Sequence, residues 1–480
     1  MGITTVDHPL AARPLADIAR GLRTGTFRAR DVVEDLLARC ETAAPCNAFA
    51  TIDPAMARRD ADAVDAAIAA GRDPGPLAGI PISVKDLLNT RGMRTAWGSR
   101  AFADNVPDSD ASAVRALREA GAILYAKTTT PEFGHKIVTD SPLHGITRNP
   151  WNLERTSGGS SGGGAVATAL GLGPVAITTD GAGSSRLPAA CCGVYGIKPT
   201  LGRIPHETAP DTFGLTVNIG AMARHPGDLA LPLSIMAATD PTDAWSLAAG
   251  DRPFGVVQPD TALRGRRVKM IRTLNGSWLD PEVEAALETA ADHMRALGAE
   301  VVAYDGLRMN WGLAEARLLL RINQTERYAK LIAERGDILD RSFMENVREG
   351  LGADAGDLRR ALFARTTLFR DTLALMADCD YLLMPIFNTP AIPATQYVHD
   401  PLVVDGRDLG DLRSGWYSYT VPQNLTGHPA IALPISQSSA GLPIGVQAIG
   451  RWFSEADLIG LACAMDTRTG ASGILPPLHA

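Results

Sequence analysis

Lysine is scarce in this chain of 480 residues: six of its 46 basic residues are Lys, so a lysine among apolar neighbours stands out. Cysteine is scarce as well. Its six Cys, two of them adjacent at Cys191 and Cys192, match neither a disulfide framework nor a zinc-ligand spacing. They read as small buried hydrophobes in a reducing cytoplasm. No run of 18 apolar residues occurs, which argues against a membrane-spanning helix. The opening MGITTVDHPLAARP has no basic start and no apolar stretch, and predicts no secretory leader. H-E-x-x-H and G-x-x-x-x-G-K-[ST] are missing, and no lysine follows the S-x-x-K pattern. No cofactor or metal is therefore expected. A net charge of −7 and pI near 5.8 oppose non-specific nucleic-acid binding. The 45% hydrophobic and 21% charged content is that of a globular protein able to bury a large core. There is no internal repeat or low-complexity tract.

What the chain does have is concentrated between Arg155 and Arg203. Gly158–Gly164 (GGSSGGG) is one glycine-rich serine turn and Asp180–Ser185 (DGAGSS) is a second. Between them, Ala165–Leu172 is small and apolar and predicts a tightly packed helix. Val175–Thr179 predicts a short buried strand. Glycine lets a backbone approach a ligand closely, and successive N–H groups in such a turn can gather around one negative charge. A flexible linker is disfavoured by the apolar segments on both sides. Gly159–Gly163 also matches G-x-S-x-G, a nucleophile elbow centred on Ser161.

The stretch resembles the amidase signature family, whose pattern runs from G-G-S-S-G-G through D-x-G-G-S-[IV]-R-x-P-A to G-x-K-P-T-x-G-R; this chain follows nearly all of it through Gly202-Arg203. Upstream, Gly79–Asp86 (GIPISVKD) looks like the family's lysine segment. Lys85 lies 75 residues before Ser160, and Ser160 lies 24 before Ser184, as in the family. The resemblance covers most of the chain, most firmly residues 75–225. It implies a single large α/β/α domain, 1–480, with a central mixed twisted sheet covered by helices on both faces. Within it we expect an N-terminal helical layer at 1–70, a catalytic core at 75–225, a variable substrate-facing region at 240–420 and closing strands at 421–465.

Local pattern fills in the rest. Leu15–Leu22, Ala29–Arg39 and Asp53–Ala70 read as helices, with packing and dimer contacts as their role. Leu77–Val84 reads as a strand running into Lys85. Asp110–Ala120 reads as a helix with Asp108, Ser109 or Asp110 as cap, ended by Gly121 and followed by strand Ala122–Lys127. Thr129 stands where the family usually has Asn, and Gly134–Ser141 is the loop that by resemblance approaches the acyl pocket. Ala221 stands where the family commonly has Pro, at an expected strand-to-loop step. Asp228–Ala237 is helical, and Ala238–Arg252 is polar enough to mark a break. Gly265–Ile271, Val301–Ala303, Asp380–Pro385, Ala430–Pro434 and the segment closing at Gln447 are strands. Asp280-Pro281 opens a helix that Gly298 closes. Trp311–Asp378 reads as one long helical, Arg-rich stretch covering the active-site mouth.

The family implies a Ser–Ser–Lys triad. Carried over, Ser184 is the nucleophile, Ser160 the bridging hydroxyl after a cis Gly159–Ser160 bond, and Lys85 the base. A serine hydroxyl is a poor nucleophile until a base takes its proton. Lysine serves only when neutral, so its free pKa of about 10.4 must fall on burial; Val84 and Leu87 suit that. The oxyanion hole falls to the backbone N–H groups of Gly181, Ala182, Gly183 and Ser184, with Gly181-Ala182 replacing the common Thr-Gly. Ser185 replaces a usual Ile or Val, and Ser161, Asp180 and Arg186 orient the others. The implied reaction is hydrolysis of a C–N amide bond in small aliphatic or aryl acyl amides. Anilides, esters and carbamates (urethanes) share the tetrahedral step, and the expected partners are such small molecules and a second copy of the chain in a homodimer. Three alternatives stay open. One is a glutamine-hydrolysing amidotransferase of the A type that works with partner proteins, whose charged anchors are not matched in 311–420. Another is an esterase using Ser161, with His428 the nearest candidate base. The last is an inactive binding protein on the same fold, which would be expected to have lost Lys85, Ser160 or Ser184.

Overall fold

Three buried parallel strands fix where the chemistry can sit. In a computed structural model describing residues 9–304 and 309–479, Pro81–Lys85 (β2) lies between Ile123–Thr128 (β3) and Val175–Asp180 (β4), parallel to both. All three have every residue buried, as apolar β-branched strands covered on both faces must. The carboxyl ends of β2 and β4 therefore lie side by side, the place where open α/β sheets present their sites. Lys85 closes β2 and Asp180 closes β4. Residues 1–8, on which the expectation of no leader partly rests, lie outside the described residues.

The sheet has eleven strands and mixed direction. Phe49–Ile52 (β1) adds antiparallel to the edge of β3. On the other side of β4 come Asn218–Ala223 (β6) and Tyr195–Lys198 (β5), antiparallel steps that bring the chain back across the sheet. Ala430–Gln437 (β10) and Pro443–Ile449 (β11) form a hairpin beside β5. Then follow Tyr381–Pro385 (β9), Arg267–Met270 (β7) and Glu300–Ala303 (β8), the last three mutually parallel. The sheet is flanked by helices, and no helix among the described residues is long and apolar enough to cross a membrane.

Local signals set most elements. Asp53 accepts the Met56 N–H at 2.9 Å and caps the helix Pro54–Ala69. Asp280 does the same for Pro281–Ala296, with Pro281 at the first helical position. Such a cap contributes about 1 kcal/mol.

Several expectations shift. The strand expected from Leu77 starts only at Pro81, because Ile80 N–H closes a turn on Leu77. None of Asp108, Ser109 and Asp110 caps the helix Ser112–Glu119; Asp110 instead accepts from Arg91 N–H and pairs with Arg118. The helix expected from Ala165 begins at Gly162, so three glycines form its first turn. They are there for contact. A Cβ on Gly163 would meet the Ala48 carbonyl oxygen at 2.3 Å. Ala221 lies in mid-strand, opposite Ile177 and Ile197, not at a strand end. Ala238–Arg252 is no break: it holds the helix Ala244–Ala249, and Asp240 and Asp243 accept from Ser112 Oγ and His206 N–H. The stretch from Trp311 to Asp378 divides into four helices, Leu313–Arg327, Ala329–Arg335, Arg341–Gly350 and Ala355–Leu375.

Candidate active site

The helix Gly162–Ala169 packs on the sheet beside β2 and β4. The turn that precedes it delivers Ser160 and Ser161 to the ends of those two strands. Lys85 Nζ lies 2.8 Å from Ser160 Oγ and 2.8 Å from Ser161 Oγ. It also lies 3.0 Å from Thr179 Oγ1 and 3.4 Å from the Thr179 carbonyl. Lys85 has no exposed surface. Burial pushes its pKa well below the ordinary lysine value, against the opposing pull of the Asp180 charge. Lys127 and Lys198 are equally buried, so burial alone does not single out Lys85; contact with two serine hydroxyls does.

Ser161 donates to the Thr179 carbonyl at 3.2 Å, so it receives its second hydrogen bond from Lys85. A neutral amine has two N–H bonds and one lone pair. With its N–H bonds on Ser161 and Thr179, its lone pair is left for the Ser160 O–H. The peptide bond Gly159–Ser160 is cis.

Ser184 sits in the loop between β4 and the helix Arg186–Cys192. Its hydroxyl makes no hydrogen bond to the described residues, and it lines a cavity of about 410 Å³ that Ser160 also reaches. The loop is tied to the first serine turn by the Ser161 N–H, which donates to the Ser184 carbonyl at 3.2 Å. Asp180 shapes the loop from below. Its carboxylate accepts from Gly183 N–H at 2.7 Å, Ser185 N–H at 3.1 Å and the Arg186 guanidinium at 3.0 Å. Burial pushes the Asp180 carboxyl upward, but the Arg186 charge and these donors outweigh it and hold it at about 2. Arg186 in turn donates to Gln423, Gln447, Asn424 and the Thr420 carbonyl.

This bonding narrows the set of expected oxyanion donors. Gly183 N–H is spent on Asp180, so it is not a donor to the cavity as the sequence led us to expect. Gly181, Ala182 and Ser184 all line the cavity, and their N–H groups have no acceptor among the described residues. Gly183 serves another need. Its φ is +114°, and a Cβ there would lie 2.2 Å from Thr420 Oγ1. Ala182 is not at positive φ, which is why alanine can stand where the family has glycine. Ser185, replacing an apolar residue, shares a hydrogen bond of 2.6 Å with Thr178 Oγ1.

Sequence reasoning missed Thr179, Thr420, Gln423, Asn424 and Gln447. Thr179 carried a signal as the penultimate residue of a strand ending in the serine loop; the others come from remote segments with no local pattern. Thr129, in the family's Asn position, is turned inward onto the Ala48 carbonyl and Thr147 Oγ1 and does not line the cavity. Gly134 does line it, as the 134–141 loop was expected to. The Ser161 esterase arrangement is not assembled. No histidine hydrogen-bonds Ser161 among the described residues. His428 bonds Thr426 Oγ1 at 2.9 Å and packs against the Phe369 and Trp452 rings, and burial drives its pKa down to about 3.

Comparison with known proteins places this geometry. The amidase family profile matches residues 31–459. The A subunit of glutamyl-tRNA(Gln) amidotransferase from Roseiflexus sp. (strain RS-1) is 35% identical, covering 97% of this chain and 98% of that protein. The protein of the same name from Synechococcus sp. (strain CC9902) is 34% identical over 92% and 93%. The crystal structure of a bacterial aryl acylamidase of the amidase signature enzymes superposes with a TM-score of 0.88 at 26% identity, covering 97% of this chain and 98% of that one.

Proposed function

The chain belongs to the amidase signature family, enzymes that hydrolyse C–N amide bonds, and on that footing we propose that it does so through an acyl-enzyme on Ser184. The observation that carries the proposal is the 2.8 Å contact between buried Lys85 and Ser160, at the floor of the cavity that Ser184 faces. Ser160 passes its proton to neutral Lys85 and takes the proton of Ser184 as Ser184 Oγ attacks the carbonyl carbon. The negative oxygen that forms meets the N–H groups of Gly181, Ala182 and Ser184, each worth about 10²–10³ in rate. The proton then returns through Ser160 to the leaving amine. A water molecule repeats the sequence on the ester and frees Ser184.

The cavity wall supports small aliphatic or aryl acyl amides as substrates. Leu87, Phe133, Ile137, Leu215, Val217 and Leu320 line it, an apolar surface that excludes water from the reacting atoms. Anilides, esters and carbamates would follow the same steps. Sequence similarity favours the second reading, a glutamine-hydrolysing role with partner proteins, over the first: the named relatives are A subunits of glutamyl-tRNA(Gln) amidotransferase. One panel of amide, anilide, ester, carbamate and glutamine, run on the isolated chain, tests both. Turnover of simple amides well above glutamine supports the first. Turnover of glutamine alone, or only with a partner added, supports the second. A Ser184→Ala protein that retains activity on every substrate overturns both.

A further inference from the structure

The wall facing the serines carries a charged side chain that the chemistry above does not use. Arg413 lines the cavity together with Tyr417, over whose ring its guanidinium stands at 5.6 Å. Its Nη1 is shut off from solvent and has no hydrogen-bond partner among the described residues. No carboxylate pairs with its side chain there either. The neighbouring acidic groups are taken: Glu349 pairs with Arg317 and Arg321, and Asp411 with Arg317. Asp411 meets Arg413 only at its backbone N–H. Three arginines thus share two carboxylates, and Arg413 is the one left over. The crowding is felt by Arg321, whose pKa falls to about 10, first through burial and then through Arg317 and Arg413. The other charged groups on the cavity differ in kind. Lys136 is bound to Asp140 and Asp340, whereas Asp211, Glu326 and Arg327 are exposed at the mouth and solvated.

A buried guanidinium N–H without an acceptor is costly and rare in a native protein. An arginine fork matches a carboxylate in two parallel bonds. We propose that Arg413 is an anion-binding subsite of this cavity, and that the substrate is an amide carrying a carboxylate at its far end. Gln324, buried on the same wall with its Oε1 also unpartnered, offers an acceptor for an N–H of the same substrate. The inference rests on the amide-hydrolase reading for its substrate, but the anion site itself does not depend on turnover.

The test uses the full chain and two readouts. Binding to the Ser184→Ala protein is measured by calorimetry for succinamate, glutaramate and adipamate, each against its neutral counterpart butanamide, pentanamide or hexanamide. We expect one acid to bind about ten-fold or more tighter than its neutral partner, as a charge-assisted hydrogen bond implies. Added salt should narrow that gap. Arg413→Gln should remove it, and Arg413→Lys, a charge without the fork, should keep part of it. No gap for any of the three pairs overturns the subsite, and so does a gap that survives unchanged in both Arg413 variants. Should Arg413→Gln fail to fold, the three pairs and Arg413→Lys still decide. With Ser184 in place, the acid-to-neutral ratio of kcat/KM should be lower in Arg413→Lys than in the wild type, mainly through KM. A binding gap without turnover of any amide leaves the anion site standing and overturns the catalytic reading. Turnover with equal binding of acid and neutral amide does the reverse.

Discussion

Lys85 Nζ stands 2.8 Å from Ser160 Oγ and 2.8 Å from Ser161 Oγ, yet the two hydroxyls are not equivalent. Ser161 spends its proton on the Thr179 carbonyl, whereas Ser160 reaches the cavity and has a proton to give. Ser160→Ala should therefore cost about 10²–10⁴ in kcat/KM, the range of positioned acid–base catalysis. Ser161→Ala should cost about ten-fold, through loss of the neutral hydrogen bond that orients Lys85. Steady-state kinetics on a single amide rank the two, and a reversed order would refute this division of labour.

The Ser184 hydroxyl lines the cavity beside Ser160 and makes no hydrogen bond to the described residues. A fluorophosphonate should label Ser184 and leave Ser161 untouched, as peptide mapping by mass spectrometry would show. Ser184→Ala should lose about 10⁴-fold or more in turnover while keeping the wild-type thermal midpoint. Labelling at Ser161 would restore the elbow reading.

The depressed pKa of Lys85 predicts the pH dependence with a definite sign. Activity should rise with pH as Lys85 loses its proton, and level off below the free lysine value of about 10.4. Stability moves the same way. Between the lowered folded value and about 10.4, the unfolded chain binds a proton that the folded chain does not, so the Lys85 contribution to stability rises with pH across that window. In Lys85→Met this part of the slope should vanish, and activity on amides should be lost. Lys85→Arg should be as inactive, since a guanidinium stays charged. The checks are kcat/KM from pH 6 to 10 and denaturant unfolding of wild type and Lys85→Met at each pH. A variant that keeps the wild-type amide profile would remove Lys85 from the mechanism.

Asp180 and Arg186 form a pair with no exposed side-chain surface. Removing one partner of such a pair costs about 3–5 kcal/mol, because the other charge stays buried. Asp180→Asn should lower stability by that order and lower kcat more than it raises KM, since only one acceptor oxygen remains and either Gly183 or Ser185 N–H then faces an amide NH2 in the Ser184 loop. The Asp180 carboxyl is depressed to about 2, so its contribution is full above the unfolded value of about 3.9 and is lost as pH falls through 2. Acid unfolding followed by circular dichroism measures it. An Asp180→Asn protein as stable as wild type at pH 7 would contradict the account.

The resemblance carried by the two glycine-rich serine turns and the Gly79–Asp86 segment pointed to Lys85, Ser160 and Ser184, whereas local pattern by itself offered Ser161. The Asp280 cap was legible because its hydrogen bond spans two residues. What failed was anything decided by a partner elsewhere. Asp110 looked like a helix cap until Arg118 and the Arg91 N–H claimed it. Gly183 is the local exception: it looked like an oxyanion donor, but Asp180, three residues before it, takes its N–H. Whether Lys85 is neutral depends on burial between β3 and β4, and those strands lie about 40 and 90 residues further along the chain. The Arg186 anchors and the Arg413 wall come from segments more than 200 residues away. Sequence specifies which groups are present and which backbone turns they favour. Desolvation and the direction of each N–H depend on which distant segments pack against them, and only the folded sheet sets that.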